Sequence, residues 1–212
     1  MKTSRLSIPA PKASEVPALL DNEGIAFQAV TCVNWPEYPY CPEAKARIAI
    51  TDDALLLHYH VNEQATLARY EKDGDRVWTD SCMECFVNPA HSEGYYNIEC
   101  SCIGTLLIGY GTGRNDRRQT SAEALSTVDR YATLGREPFG LRNEPTTWDL
   151  ALVIPFSVFG DDAPLFKASE LRFNIYKCGD DLPTPHFVSL FPIPIQEPDF
   201  HRPDFFDTLS IE

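Results

Sequence analysis

The chain has 212 residues and a formal net charge of -13, with 31 acidic residues against 18 lysines and arginines. Nucleic acids and anionic membrane surfaces select basic proteins, so this charge excludes both as typical partners. Seven cysteines are an odd number and favour reduced thiols over a disulfide framework. We find no apolar signal-peptide core at the N-terminus and no membrane-spanning run, and expect a cytoplasmic location, or an extracytoplasmic one if a leader precedes residue 1.

Short strands separated by turn signals dominate the predicted elements. Alternating apolar residues predict strands at 45–50, 54–61, 80–87, 94–101, 103–110, 147–154 and 171–177. Residues 75–78 lead into the third of these strands, and loop chemistry at 88–94 separates it from the fourth. Residues 120–131 are predicted to hold a short helix, after a polar, glycine-rich loop at 111–119.

This succession of short strands predicts an all-β fold, an antiparallel β-sandwich with short helical and proline-rich extended segments. Prolines crowd the two ends of the chain, and proline does not fit helix interiors or central strands. We therefore predict a single domain over residues 1–212. Its N-terminal segment at 1–20 is expected to be extended, and its C-terminal tail at 178–212 to wrap around the core.

The stretch W-T-D-S-C-M-E-C-F at 78–86 contains a Cys-x-x-Cys spacing. On a strand, Met83 and Cys85 face one side, and Cys82 and Glu84 face the other. In zinc sites of this spacing, a turn brings both thiolates to one metal ion. In redox sites of this spacing, the motif lies at the start of a helix. We therefore interpret the cysteines as buried, reduced apolar side chains, and predict no metal site.

Polar side chains share one face on three predicted strands. Glu84 lies on the first, Asn97 and Glu99 on the second, and Arg172 and Asn174 on the third. Two interpretations stay open. The face is either solvated, as is usual for antiparallel sheets, or it is a concave surface whose carboxylate, amide and guanidinium groups bind sugar hydroxyls beside a stacking tryptophan.

Several motifs, in order, resemble the family 9 carbohydrate-binding modules and their relatives. They are W-T-D-S-C-M-E-C-F-V at 78–87, Y-N-I-E-C at 96–100 with Gly104, W-x-L-x-x-x-I-P at 148–155, and R-F-N-I-Y-K-C-G-D at 172–180 with P-D-F-H-R-P at 198–203. The resemblance covers roughly residues 25–211. It is most specific in the C-terminal string, which is similar to a bacterial subgroup of the family.

The resemblance implies a β-sandwich related to the DOMON superfamily, and a non-catalytic protein that binds a sugar or a glycan end. The second tryptophan of the family falls near 189–191, where this sequence has Leu190 with Phe191 beside it, so Phe191 is the second aromatic candidate. The predicted ligand-binding residues are Trp78, Glu84, Asn97, Glu99, Arg172, Asn174 and Phe191. A carbohydrate is the expected partner, with no nucleic acid and no membrane, and the oligomeric state is left open.

Two other classes of function stay open on the sequence. A hydrolase would use acids and histidines of the tail, which are Asp180, Asp181, His186, Asp199, His201 and Asp204. Haem-binding relatives with the DOMON fold use a methionine or histidine pair, and the internal candidate Met83 is predicted to lie in the core.

No cofactor is predicted. Structural calcium stays open at the acidic turns 51–53 and 160–162, although neither has the spacing of an EF-hand loop. His58 and His60 share a strand face and can begin a metal site, but we interpret them as an exposed pair. Arg114, Arg117 and Arg118 form a local basic loop, which is either solvated or grips an anion.

Overall fold

The computed structural model of the protein describes residues 1–89 and 92–212. The predicted turn at 88–94 lies partly outside the described residues, because Ala90 and His91 fall in the gap. None of the described helices is long and apolar enough to span a membrane.

Sixteen strands lie within the described residues. They are β1 Lys2–Thr3, β2 Gln28–Ala29, β3 Cys32–Val33, β4 Glu43–Ile50, β5 Ala54–Glu63, β6 Thr66–Ala68, β7 Cys82–Pro89, β8 Tyr95–Ser101, β9 Leu106–Gly111, β10 Arg118–Gln119, β11 Asp129–Ala132, β12 Phe139–Arg142, β13 Thr146–Pro155, β14 Glu170–Cys178, β15 Phe187–Ser189 and β16 Asp207–Ile211. The helices are α1 Val16–Asn22 and α2 Ala122–Ser126, and 3-10 segments lie at Ala13–Glu15, Val77–Thr79, Phe156–Lys167 and Pro203–Phe205.

The strands form two large sheets, which confirms the predicted antiparallel sandwich. The larger sheet has the order β1-β16-β14-β7-β8-β9-β10, with β15 beside β14 and β3 beside β15. The smaller sheet has the order β11-β13-β5-β4-β2, and β12 pairs with β6 separately. All these pairs are antiparallel except that of β1 with β16.

Apolar side chains from the two facing sheets form the main core. The alternation predicted for β7 is confirmed, since Met83, Cys85 and Val87 lie in this core. On β14, Phe173 and Ile175 point the same way, and they meet residues of the smaller sheet. The other face of β7 and β14 is therefore directed away from the core.

The predicted extended segment at 1–20 instead contains a 3-10 turn and the start of helix α1. Pro17 lies in the first turn of α1, where a missing backbone N–H costs no intrahelical hydrogen bond. Val16 and Leu20 then pack on the outer face of the smaller sheet, so that this face is also dry. Proline thus starts this helix rather than preventing it.

The polar row predicted on the larger sheet is not solvated, because other chain segments cover that face. Trp35, Ile193 and Phe206 pack over Phe86 and Tyr176 and form a second apolar layer. Near one end of the sheet this layer is incomplete, and a cavity remains between the sheet and the C-terminal segment.

Two local predictions differ from the structure. Trp78 lies in the 3-10 turn Val77–Thr79 that precedes β7, and not on the strand itself. The predicted helix at 120–131 is shorter, since Ser121 caps α2 by accepting a hydrogen bond from the Ala124 amide and the chain then enters β11. Strand β11 exists because it pairs with β13, a tertiary interaction that local periodicity does not reveal.

Candidate functional site

A cavity of about 290 Å³ lies on the outer face of the larger sheet. Strands β7, β8, β9 and the end of β14 supply its floor, and the turn Val77–Thr79, the loop before β10 and the C-terminal segment supply its walls. The residues that line it include Trp78, Glu84, Asn97, Glu99, Arg114, Arg117, Cys178, Asp180, Phe200 and His201.

Trp78 is a half-buried side chain in the cavity wall, held there by its own backbone. Its carbonyl accepts hydrogen bonds from the Asp180 amide and the Cys178 thiol, each at 3.4 Å. The turn is fixed further by Asp80, a buried carboxylate that lies 2.9 Å from the Nε of Arg69. The indole is thereby positioned without being buried, which suits a surface that receives a ligand.

Glu84 and Glu99 form an acidic pair on the cavity floor. They are opposite each other on β7 and β8, and are 3% and 4% exposed. Glu84 Oε1 accepts from the Cys178 thiol at 2.9 Å, and Glu99 Oε1 accepts from the Asn97 amide at 2.7 Å. Glu99 Oε2 has no hydrogen-bond partner.

Their surroundings disfavour two negative charges. Burial raises the pKa of Glu84 well above its ordinary value, and the charge of Glu99 raises it further. Burial also raises the pKa of Glu99, against the opposing effects of the Asn97 hydrogen bond and the Arg117 charge. The floor of the cavity therefore holds two buried carboxyl groups, and Glu99 has an oxygen without a hydrogen-bond partner.

Asn97 lines the cavity but both ends of its amide are engaged. Its oxygen accepts from Arg117, whose guanidinium also donates to the carbonyls of Gly109 and Tyr95 at 2.9 and 3.0 Å. A Cβ on Gly109 would lie 2.8 Å from the Asn97 oxygen, so glycine is required for this close approach. Asn97 and Arg117 consequently tie the loop before β10 to the sheet.

Arg172, Asn174 and Phe191, predicted from the sequence to bind the ligand, do not line this cavity. Arg172 is exposed and donates to the carbonyls of Pro203 and Phe206, each at 3.0 Å. Asn174 is buried and exchanges hydrogen bonds with the backbone of Phe191, whose ring meets Phe173 edge-on at 5.4 Å. All three hold the C-terminal segment in place, because Phe191 turns toward the main core rather than outward.

The C-terminal segment contributes cavity residues that strand alternation did not identify. Phe200 stacks on Tyr176 at 4.2 Å with an interplanar angle of 8°, and the Tyr95 hydroxyl lies 2.8 Å from His201 Nδ1. Burial, followed by the charge of Arg117, lowers the pKa of His201 to about 4. The motif P-D-F-H-R-P was the sequence signal for these residues, but it gave no direction for their side chains.

The acids and histidines of the tail do not form one catalytic cluster. Asp180, Asp199 and His201 line the cavity, whereas His186 is fully buried beside Lys177 and outside the cavity lining. Burial, followed by the charge of Asp181, raises the pKa of Asp180 to about 6. Asp204 is exposed and faces Arg202 instead.

Within residues 1–89 and 92–212, a single group of three metal-ligating side chains converges. It consists of Cys82, Glu84 and Cys178, whose ligand atoms all lie within 4.8 Å of one another. Neither acidic turn considered for calcium brings three such ligands together in the described part of the chain.

The predicted exposed pair of histidines is wrong for His58. That ring is 3% exposed and lies between the Arg47 guanidinium and Asp149, each at 3.0 Å. His60 also contacts Asp149, at 3.2 Å. Asp149 lies on β13, and its carboxylate connects both histidines of β5 to that strand.

The comparisons with known proteins give a consistent picture. A family model described as Carbohydrate-binding family 9 matches residues 14–211. No curated protein matches the sequence significantly. A protein from Bacteroides uniformis ATCC 8492, for which carbohydrate binding is assigned rather than demonstrated, is 43% identical, with a TM-score of 0.91 over 100% of this chain and 98% of that one.

Two structures of a carbohydrate binding module family 9 from Caldicellulosiruptor kristjanssonii are more distant. The complex with glucose is 12% identical, with a TM-score of 0.56 over 100% of this chain and 95% of that one. The complex with cellotriose is 11% identical, with a TM-score of 0.52 over 99% and 93%. These two show the fold alone, but the family match over nearly the whole chain and the 43% identical relative show that the protein belongs to carbohydrate-binding family 9.

Proposed function

We propose that the protein is a non-catalytic module that binds the end of a glycan, or a single sugar, in the cavity beside Trp78. One observation carries the proposal: a half-buried indole lies in the wall of a cavity whose floor contains two buried carboxyl groups, one of which has an oxygen without a hydrogen-bond partner. A sugar presents an apolar ring face and several hydroxyl groups, so its site needs an apolar surface beside hydrogen-bond acceptors.

The assigned roles follow from the geometry. Trp78 stacks on the sugar ring, which contributes ~1 kcal/mol beyond the area that it buries, by analogy with aromatic pairs. Glu84 and Glu99 accept hydrogen bonds from sugar hydroxyls, and Asp180 lies beside them in the lining. Asn97 orients Glu99, and Arg117 orients Asn97.

The size and surroundings of the cavity favour a short ligand. A volume of about 290 Å³ is close to the lower limit of the roughly 300–1,000 Å³ typical of small-molecule sites. Glucose and cellotriose, the ligands in the two distant family structures, are therefore the first sugars to try. A non-catalytic role predicts that incubation with cellotriose yields no shorter products.

Tryptophan fluorescence tests the proposal directly. Trp35 and Trp148 are 1% and 0% exposed, so Trp78 is the indole that a ligand can reach. A saturable change on titration with glucose or cellotriose is expected, and Trp78→Ala should weaken binding by ~30-fold or more, the loss typical of a hot spot. Trp78→Ala should keep the circular dichroism of the folded protein.

The matched control is Tyr131→Ala, which removes a 37% exposed aromatic side chain on the smaller sheet. It should leave sugar affinity unchanged. Equal loss in both variants, or binding that survives in Trp78→Ala, contradicts the assignment of this cavity.

A further inference from the structure

We propose that Cys82, Glu84 and Cys178 form a binding site for a thiophilic divalent cation of the Zn²⁺ class at the floor of the cavity. Cys82 and Cys178 are register partners on the antiparallel strands β7 and β14, and Glu84 lies two residues farther along the same face of β7. The three side chains are 0%, 1% and 3% exposed, and their ligand atoms lie within 4.8 Å of one another.

The distances suit a tetrahedral ion after small side-chain adjustments. Zinc binds sulfur at about 2.3 Å and carboxylate oxygen at about 2.0–2.2 Å, which places two ligands of one ion roughly 3.6 Å apart. The present 2.9 Å between Cys178 Sγ and Glu84 Oε1 is a hydrogen bond that must open by less than ~1 Å.

The donor set selects the class of cation. Two thiolates favour zinc and other soft or borderline ions over calcium and magnesium, which prefer oxygen ligands. Three protein ligands leave one coordination position, as in zinc sites that accept water or a ligand. Glu84 and Cys178 both line the cavity, so that this position faces it.

The residue opposite Glu84 has a buried oxygen atom without a hydrogen-bond partner. Glu99 faces Glu84 across the strand pair with one oxygen unpartnered, which leaves two carboxyl groups together. Lys177 is adjacent in sequence to Cys178, but its ammonium group lies 2.9 Å from Glu63 and is not available to Glu84. The unpartnered Glu99 oxygen is an observation independent of the cysteine geometry.

The same cysteine cluster explains why the Cys-x-x-Cys spacing was misleading. Cys85 packs in the main core, as alternation predicted, and cannot join Cys82 on one ion. The second thiol comes instead from Cys178 on the neighbouring strand. Coordination displaces the two thiol protons onto buffer, so that affinity should fall as pH is lowered.

The test uses the full chain, reduced and freed of metal, titrated with Co²⁺ as a spectroscopic substitute for Zn²⁺. A thiolate-to-cobalt charge-transfer band that saturates at one equivalent and is abolished by one equivalent of Zn²⁺ is expected. Cys82→Ser and Cys178→Ser should each weaken binding more than ~100-fold, above the 10- to 100-fold typical of groups that only orient a ligand. Absence of a saturable band in the parent protein overturns the proposal.

Two controls separate this site from other thiols and from misfolding. Cys41 is exposed and Cys32 is half-buried, and the double variant Cys32→Ser/Cys41→Ser should keep the full band. If the double variant loses the band while Cys82→Ser retains it, the site is misplaced. Glu84→Gln preserves side-chain shape, so it should fold and bind Co²⁺ at least ~10-fold more weakly with the thiolate band still present. Unchanged Co²⁺ affinity in Glu84→Gln removes the carboxylate from the site.

The inference does not rest on sugar binding, and the two can fail separately. Trp78→Ala should lose the sugar response while keeping the cobalt band. Cys82 does not line the cavity, so loss of the cobalt response with retained sugar binding in Cys82→Ser would support both assignments at once.

Discussion

Buried acids lie on both sides of the larger sheet, and they differ in whether they form an ion pair. On the inner side, Glu63 accepts from the Trp148 indole at 2.8 Å, and its other oxygen lies 2.9 Å from the Lys177 ammonium group, an ion pair by distance that lacks hydrogen-bond geometry. On the cavity side, Glu84 and Glu99 face each other, and neither forms an ion pair with a described side chain.

This difference suggests a structural role for the paired acid and a binding role for the unpaired ones. A buried charge with its counter-charge joins elements, and here Glu63 on β5 and Lys177 on β14 connect the two sheets. Buried acids without such a partner are costly, and they are retained where they bind something. The Glu63–Lys177 pair therefore joins the two sheets, and the Glu84–Glu99 pair is the candidate for ligand binding.

The largest predicted effect comes from breaking the inner pair. Lys177→Met should lower the free energy of unfolding by about 3–5 kcal/mol, because Glu63 is left buried without its counter-charge. For a domain of this size the melting temperature should fall by roughly 6–20 °C. Thermal and urea denaturation measure both quantities.

Two variants sharpen this result. Lys45→Met removes a lysine from a pair with Glu43 in which both side chains are substantially exposed, and stability should hardly change. Glu63→Gln/Lys177→Met removes both charges and should recover part of the loss. A decrease of less than ~1 kcal/mol in the free energy of unfolding of Lys177→Met would show that the pair does not stabilise the fold.

The next effect depends on pH and concerns His186, which joins the inner pair. Its Nε2 lies 2.9 Å from the Lys177 ammonium group and its Nδ1 lies 3.0 Å from the Thr184 carbonyl. Burial, followed by the charge of Lys177, lowers the pKa of His186 to about 3. The ring stays neutral in the folded protein while the unfolded chain gains a proton below about pH 6.5.

Because the folded-state pKa is the lower one, this contribution is absent above about pH 7 and stability falls as the pH drops toward 4. The slope should be up to about 1.4 kcal/mol per pH unit. His186→Gln should remove that part of the slope, which urea denaturation between pH 7 and 4 measures as a difference from the parent protein. Parallel curves for the two proteins would contradict a neutral His186.

Sequence alternation identified the inner and outer faces of β7, β8 and β14 because local geometry fixes them. It placed Glu84, Asn97 and Glu99 on one face, and the register of β7 with β8 brings them together. It did not predict that aromatic residues of the C-terminal segment cover this face, nor that Cys178 meets Cys82 across 96 residues of chain. Such contacts depend on tertiary packing, which leaves no periodic pattern.

Arg172, Asn174 and Phe191 show the limit of the same reasoning. Arg172 and Asn174 share the predicted face of β14, but distance along the strand and the path of the tail decide which side chains reach the cavity. Trp78 was located by resemblance, and its 3-10 turn became evident only in the structure.

A smaller effect, opposite in sign to that of Lys177→Met, is expected at the cavity pair. Glu99→Gln removes a buried carboxyl group that lacks a full set of partners, while the Asn97 hydrogen bond to Oε1 can persist. The free energy of unfolding at pH 8 should rise by ~1 kcal/mol, as is common when a residue kept for function is replaced. Sugar affinity should fall in the same variant, and isothermal titration with glucose measures it. Loss of both stability and sugar affinity would show that Glu99 has a structural role and is not primarily a binding residue.

The smallest predicted effect concerns Arg172. Unlike the buried acids, its side chain is exposed, and its guanidinium donates to backbone carbonyls. Arg172→Ala should lower the free energy of unfolding by ~1 kcal/mol, since two partly solvated hydrogen bonds to the C-terminal segment are lost. Sugar affinity should stay within twofold of the parent, because Arg172 does not line the cavity. Denaturation and glucose titration on one preparation check both values. A tenfold loss of affinity at unchanged stability would return Arg172 to the binding site, as the sequence first predicted, and would move the site toward the far end of β14.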